Sequence, residues 1–199
     1  MTSATTERRA LIFHGFGATP DDHWFTWLAK QLESSGFSAQ VPALPDPLDP
    51  NPQRWVAEVG QALSRPAGDP VDQNTVVVAH SLGVLTVLRY LATLEGPWRL
   101  GELVLVSGFV DLLPALPNLD AYIGNGLQPA ELSELSKHVD RITILRSDVD
   151  ALVPVELTDR LATLLGVSAV VVPGAGHFLG MDGITELPQA LEAITAGRS

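Results

Sequence analysis

Six short runs of apolar, largely β-branched residues alternate with longer segments of helical periodicity, and this alternation constrains the fold more than any other feature. Runs such as Val76–Val78 and Leu103–Val106 are apolar at every position. Both faces of such strands must be covered, which indicates a parallel sheet between two layers of helices with right-handed crossovers. The six predicted strands are Ala10–His14, Phe37–Val41, Thr75–His80, Glu102–Ser107, Arg141–Arg146 and Ser168–Val172.

Helical patterns fill the segments between these strands. We expect the first helix to begin at Pro20, behind a Thr19 cap, and to end at Gly36. Two irregular segments also stand out, the proline-rich Pro42–Pro52 and the long Phe109–Pro129, and whether the second forms a lid stays open. Further helices are predicted at Gln53–Ser64, Leu82–Leu94, Val155–Leu165 and Pro188–Thr195.

The composition narrows the class of protein. The 199 residues suit a single domain, residues 1–199, with residues 1–8 as an N-terminal tail. A net charge of -11 would repel nucleic acid and anionic membranes, so we expect neither as a partner. The chain has no cysteine, no zinc-ligand spacing and no phosphate-binding loop, which predicts no metal and no cofactor. Without a signal-like segment or an apolar stretch of ~20 residues, the expected location is cytoplasmic.

The segment VVVAHSLG places Ser81 directly between the third predicted strand and a helix. A very tight turn of this kind strains its central residue and needs small residues two positions before and after it. Ala79 and Gly83 occupy those two positions. The turn would expose the Ser81 hydroxyl at the carboxyl edge of the sheet. The alternative is that Ser81 only caps the helix beginning at Leu82.

A serine nucleophile needs a histidine base oriented by a carboxylate. In a fold with this strand-to-helix turn, the chain order is serine, acid, histidine. Asp148 and Asp150 follow the fifth strand, and we favour Asp150, which stands just before Ala-Leu-Val-Pro and the next helix. Either aspartate could instead cap the turn. His177 follows the last strand after a glycine-rich turn, and the alternative for it is a packing role.

Two backbone amides are candidates for stabilising a developing oxyanion. The amide of Leu82 lies at a helix N-terminus, and that of Phe16 follows the first strand in His14-Gly15-Phe16-Gly17. His14 itself is expected to be structural. The remaining histidines are expected to pack locally or to point away from Ser81, namely His23, His80 and His138.

The segments HGFGATPDDHWFTWLAKQL, VPALPDPLDP, VVVAHSLG, RSDVDALVP and GAGHF, in this order, resemble the small α/β-hydrolase family of retinoblastoma-binding protein 9 and the YdeN-like proteins. The resemblance covers about residues 10 to 195. It implies a compact α/β-hydrolase with a mostly parallel six-stranded sheet, order 2-1-3-4-5-6, helices on both faces and little or no cap. It also implies Ser81 as nucleophile, Asp150 as acid and His177 as base.

The resulting hypothesis is a cofactor-independent serine hydrolase, a carboxylesterase that acts on small short-acyl esters through an acyl-enzyme. The oligomeric state stays open. Two alternatives remain, a protein-binding module with weak catalysis and a related acyl-transfer or amidase activity on the same fold. The side chains expected to contact the substrate are Phe109, Leu113, Tyr122 and Phe178, and Phe16 and Leu112 are further candidates for lining its pocket.

Overall fold

The sheet has six strands, all parallel, in the order β2-β1-β3-β4-β5-β6. It is seen in a computed structural model that describes residues 7–64 and 71–196. The predicted fold class and strand order are confirmed. The strands are β1 Arg9–Phe13, β2 Ser38–Gln40, β3 Thr75–His80, β4 Glu102–Val106, β5 Ile142–Arg146 and β6 Val170–Val171.

Helices cover both faces of the sheet and enclose two hydrophobic cores. Alternate residues of the four central strands, β1, β3, β4 and β5, enter opposite cores: in β3, Val77 belongs to one core and Val76 to the other. The α-helices are α1 Phe25–Ser34, α2 Pro52–Leu63, α3 Leu82–Ala92, α4 Asp120–Ile123, α5 Pro129–Ser136, α6 Val155–Leu164 and α7 Pro188–Thr195, with 3₁₀ turns at Pro117–Leu119 and Gly180–Asp182.

The first helix begins at Phe25, so the prediction that it starts at Pro20 is wrong. The Asp22 carboxylate accepts hydrogen bonds from the backbone N–H and the hydroxyl of Thr19, at 2.7 and 2.8 Å, and this closes a separate turn. His23 then adopts a φ of 56°, which a right-handed helix cannot contain. The helix ends as predicted, with Gly36 at a φ of 81°.

The segment after β4 is packed onto the sheet rather than lying free above it. Leu113, Leu119 and Ile123 are at most 2% exposed and belong to the core that α2 and α3 also form. The Arg89 guanidinium, on α3, donates to the carbonyl oxygens of Tyr122 and Ile123 at 2.8 and 2.6 Å. Helices α4 and α5, which were not among the predicted helices, give this segment its shape.

The first residues of the chain were expected to form a tail. Residues 1–6 of that predicted tail lie outside the described residues. Arg8, however, donates a hydrogen bond to the Ser35 carbonyl at 2.7 Å and stacks over the Phe37 ring. In the described ranges no helix is both long enough and apolar enough to cross a bilayer.

Candidate active site

Ser81 occupies the sharp turn between β3 and α3. Its φ of 53° and ψ of -123° lie outside the regions that non-glycine residues usually adopt. A Cβ on Gly83 would lie 2.4 Å from the His14 carbonyl oxygen, and one on Gly15 would lie 2.8 Å from the Ser81 Cβ. Gly83 is therefore required, although the closest atoms belong to the end of β1 and the residue after it rather than to Ala79.

The Ser81 side chain makes no capping hydrogen bond to α3. Its Oγ lies instead 2.9 Å from Nε2 of His177, although the two residues are 96 positions apart. Ser81 is 6% exposed and His177 is 5% exposed. The alternative, that Ser81 only caps α3, does not account for the contact between its hydroxyl and His177.

The other ring nitrogen of His177, Nδ1, lies 2.8 Å from Oδ2 of Asp150. Because a carboxylate only accepts, Nδ1 carries the hydrogen and Nε2 is free to accept from the Ser81 hydroxyl. The structure thus brings together the three side chains that the sequence nominated as nucleophile, base and acid.

Four donors surround the Asp150 carboxylate. Oδ1 accepts from the backbone N–H groups of Leu152 and Val153, both at 2.9 Å, and Oδ2 accepts from the Ser107 hydroxyl at 2.9 Å and from His177. Burial by itself raises the pKa of Asp150, but the hydrogen bond and charge of His177 and the two amides outweigh it, so that pKa lies below its ordinary value. The carboxyl is therefore held in its charged form.

Asp148 has a different environment. It is exposed, and its Oδ1 accepts a hydrogen bond from the backbone N–H of Gly174 at 2.7 Å. Asp148 therefore ties the loop after β5 to the turn after β6, while Asp150 faces the imidazole.

The loop that carries His177 is held at several points. Asp182 Oδ2 accepts from the backbone N–H groups of His177 and Leu179, at 2.8 and 3.1 Å. Nδ1 of His23 accepts from Gly180 N–H at 3.0 Å. Nε2 of His80 lies 2.9 Å from the His177 carbonyl oxygen. Sequence reasoning did not assign these contacts, because those of His23 and His80 join residues 157 and 97 positions apart and those of Asp182 belong to an irregular turn.

The expectation for His14 agrees with its contacts. Its Nε2 accepts from the backbone N–H of Leu44 at 2.9 Å, and its Nδ1 therefore donates to the Gly15 carbonyl at 3.0 Å. His138 stacks on Trp98 and bonds to its carbonyl, away from Ser81.

The two candidate oxyanion donors belong to the two segments that meet at Ser81, the start of α3 and the turn after β1. Leu82 is the first residue of α3, and a Cβ on Gly15, the neighbour of Phe16, would lie 3.4 Å from the Leu82 nitrogen. Among the described residues, neither the Phe16 amide nor the Leu82 amide has a hydrogen-bond acceptor. Both N–H groups therefore remain free to bind an oxygen that forms next to Ser81.

Of the six side chains predicted to line a substrate pocket, Leu112 is exposed, Phe16 is half-buried and the other four are packed in the cores. Phe109, Leu113 and Tyr122 lie in the core beside α3, and Phe178 lies in the opposite core, each at most 5% exposed. The Tyr122 hydroxyl lies 2.6 Å from that of Thr86, and burial raises the pKa of Tyr122 to about 12.

Other apolar side chains are exposed on loops that lead from the carboxyl ends of the strands. We call these four residues the apolar rim. Gly17, next to Phe16, donates its N–H to the Pro47 carbonyl. This hydrogen bond joins the loop that carries Leu48 to the turn that carries the Phe16 amide. The rim consists of Leu48, Leu112, Val149 and Met181, which are 77%, 51%, 59% and 89% exposed.

Within residues 7–64 and 71–196, no group of three or more histidine, cysteine or acidic side chains is arranged to hold a metal ion.

Known proteins resemble this chain over most of its length. The family model described as serine hydrolase matches residues 10–196. The chain belongs to the serine hydrolase family. This serine hydrolase is 33% identical to YdeN of Bacillus subtilis over 189 residues, 95% of each chain. It is 23% identical to the serine hydrolase RBBP9 of Rattus norvegicus over 167 residues, 83% of each chain.

Solved structures agree with this assignment. The crystal structure of the ydeN gene product from B. subtilis superposes on this serine hydrolase with a TM-score of 0.87 at 31% identity, covering 95% of this chain and 97% of the other. A YdeN-like hydrolase from Pectobacterium atrosepticum gives a TM-score of 0.67 at 20% identity, with coverages of 94% and 88%. The predicted resemblance to the small α/β-hydrolases is confirmed.

Proposed function

We propose that this serine hydrolase is a carboxylesterase that cleaves small short-acyl esters through an acyl-enzyme on Ser81. The observation that carries the proposal is the continuous hydrogen-bonded chain from the Ser81 hydroxyl through both nitrogens of His177 to Asp150. A serine hydroxyl is a weak nucleophile until a base takes its proton, and this chain supplies the base and its counter-charge.

In the first step, Ser81 Oγ attacks the ester carbonyl carbon while its proton passes to Nε2 of His177. The imidazolium is stabilised by Asp150, whose low pKa keeps it charged. The tetrahedral intermediate then collapses, the alkoxide leaves with the proton from Nε2, and the acyl group stays on Oγ. Water, deprotonated by the same nitrogen, releases the acid and restores the Ser81 hydroxyl.

The oxyanion of the tetrahedral intermediate is stabilised by the amides of Phe16 and Leu82. Leu82 directly follows Ser81 and has the positive end of the α3 dipole, and Phe16 follows Gly15, which packs against the Ser81 Cβ. Loss of one such donor typically costs about 3 kcal/mol of transition-state stabilisation. His14 supports the arrangement by fixing the turn that carries Phe16.

The substrate class follows from what surrounds the site. The loops that leave the carboxyl ends of the strands expose apolar side chains, and the rim residues and the half-buried Phe16 are available to contact an acyl chain or an alcohol. The net charge of -11 disfavours anionic substrates. A small neutral ester meets both conditions.

The proposal is tested with p-nitrophenyl acetate and butyrate. Ser81→Ala is expected to lose at least 10³-fold in kcat with the same melting temperature, since the fold does not depend on the hydroxyl. Ser133→Ala, which removes an exposed hydroxyl from α5, is the matched control and keeps full activity. Undiminished turnover by Ser81→Ala would refute the proposal.

A fluorophosphonate probe separates the esterase from a binding module. The activated Ser81 hydroxyl is expected to form a stable phosphonyl adduct, and mass spectrometry locates the adduct to the peptide containing residue 81. Absence of labelling would favour a binding module, since mere binding does not require a reactive serine.

A further inference from the structure

The His80 side chain is buried beneath the loop that carries His177. It is 2% exposed, its Nε2 lies 2.9 Å from the His177 carbonyl oxygen, and the centres of the two rings are 4.9 Å apart. Because a carbonyl oxygen only accepts, Nε2 of His80 carries the hydrogen and donates it. Within the described part of the chain, Nδ1 of His80 has no hydrogen-bond partner.

The surroundings of His80 keep the ring neutral. The imidazole is packed among aromatic rings, including those of Trp24 and Phe25, and the other ionisable groups near it are His177, His23 and Asp150. Burial, and then the nearness of His177, lower the pKa of His80 well below its ordinary value. His80 is therefore a constant hydrogen-bond donor that adds no charge to the site.

The contact between His80 and His177 lies next to the proposed nucleophile in the chain. His80 is the last residue of β3, and Ser81 is the next residue. One strand end thus carries both the proposed nucleophile and the anchor of the loop that bears the proposed base. His80, which bonds to the His177 carbonyl, and Ser81, whose Oγ faces His177 Nε2, are therefore joined by one peptide bond.

The loop needs such an anchor because its backbone is strained. Phe178, directly after His177, has a φ of 60°, a conformation that persists only where the surrounding contacts enforce it. Asp182 holds the N–H of His177, Asp150 holds its ring, and His80 holds its carbonyl.

We propose that His80 is a positioning residue for the reaction: its Nε2–H holds the carbonyl of His177 and so fixes the imidazole against Ser81. The inference rests on the proposed function of Ser81 and His177. His23, which accepts from Gly180 N–H three residues beyond His177, restrains the same loop at a second point.

The first test compares two amides at position 80. The side chain of His80→Gln places an N–H near the former position of Nε2, whereas His80→Asn is one methylene shorter and does not reach the His177 carbonyl. We expect His80→Asn to lower kcat about 10–100-fold with KM changed less than threefold, and His80→Gln to recover most of the rate. Equal rates for the two variants, or a loss in KM alone, would overturn the proposal.

A double-mutant cycle then shows whether His80 acts through His177. In a His177→Ala background, His80→Asn is expected to leave the residual rate within twofold, because no imidazole remains to be positioned. A loss of the same size in both backgrounds would overturn the proposal.

Nuclear magnetic resonance of the wild-type protein gives a test that needs neither activity nor a folded variant. The ¹⁵N shifts of His80 should show a neutral ring protonated at Nε2 from pH 5 to 9, with a proton that exchanges slowly. A ring protonated at Nδ1, or one that titrates in this range, would overturn the proposal. The proposed function fails separately, through an active Ser81→Ala protein.

Discussion

Oγ of Ser107 donates a hydrogen bond to Oδ2 of Asp150 at 2.9 Å, and this is the same oxygen that faces Nδ1 of His177. Ser107 directly follows β4, and its own N–H bonds to the Leu145 carbonyl at 2.9 Å. Its φ of 45° is unusual for a serine. The backbone thus accepts strain at the position from which the hydroxyl reaches the carboxylate.

Removing this hydroxyl should slow catalysis. We expect Ser107→Ala and Ser107→Gly both to lower kcat on p-nitrophenyl acetate about tenfold, the equivalent of one hydrogen bond of about 1.4 kcal/mol. Urea unfolding should show Ser107→Gly to be about 1 kcal/mol more stable than Ser107→Ala, because glycine tolerates a positive φ. If the glycine variant alone kept full activity, the backbone conformation rather than the hydroxyl would be responsible.

Exchanging the Asp150 carboxyl for an amide should lower kcat much more than the same exchange at Asp148. Asp150→Asn places an N–H opposite Nδ1 of His177, so the imidazole is driven to carry its hydrogen on Nε2 and no longer accepts from Ser81. We expect a loss of about 10³–10⁴-fold in kcat. Asp148→Asn, which touches only Gly174, should stay within about threefold. Comparable losses in the two variants would contradict the assignment of the acid.

The apolar rim should contribute to the preference between acyl chains. Leu112→Ser is expected to lower the ratio of kcat/KM for butyrate over acetate about fourfold, which corresponds to the loss of one buried CH₂ group at about 0.8 kcal/mol. Val170→Ser, in the outermost strand β6, is the control and should leave the ratio unchanged. An unchanged ratio in Leu112→Ser would place the acyl chain elsewhere.

Because of Tyr122, the free energy of unfolding should fall as the pH rises above 10. The pKa of Tyr122 is raised to about 12 by burial, so above pH 10 the unfolded chain releases a proton that the folded chain retains. The stabilisation is complete below pH 10 and is lost between pH 10 and 12, by up to about 3 kcal/mol. Urea unfolding across this range should show a smaller decline for Tyr122→Phe. Parallel declines for the two proteins would contradict a buried, neutral Tyr122.

The strands could be predicted because runs such as Val76–Val78 are apolar on both faces, whereas their order was implied by the resemblance to the small α/β-hydrolases. The turn at Ser81 was predictable from the small residues around it. The start of α1 was not, because the Thr19–Asp22 turn and the positive φ of His23 depend on local hydrogen bonds that a cap motif also allows.

The supporting contacts of the site were also beyond prediction. The side chains of Ser107 and His80 each bond to a residue far away in the sequence, and such contacts leave no periodic pattern in a sequence. Asp182 bonds to the nearby backbone of His177 and Leu179, in an irregular turn that no motif marked. The substrate-contacting residues were sought among large apolar side chains after strand ends. Most of these, including Phe109 and Phe178, fill the cores, and only the coordinates separate them from exposed ones such as Leu112.

The 96-residue separation of Ser81 and His177 has a kinetic consequence. The nucleophile is linked to its base only after the chain segment that follows the sixth strand has docked, so reactivity reports on the docking of that segment. During refolding, phosphonate labelling of Ser81 should therefore lag behind the recovery of helical circular dichroism, since contacts distant in sequence close late. In a truncated or partly folded chain, Ser81 would not react with the phosphonate.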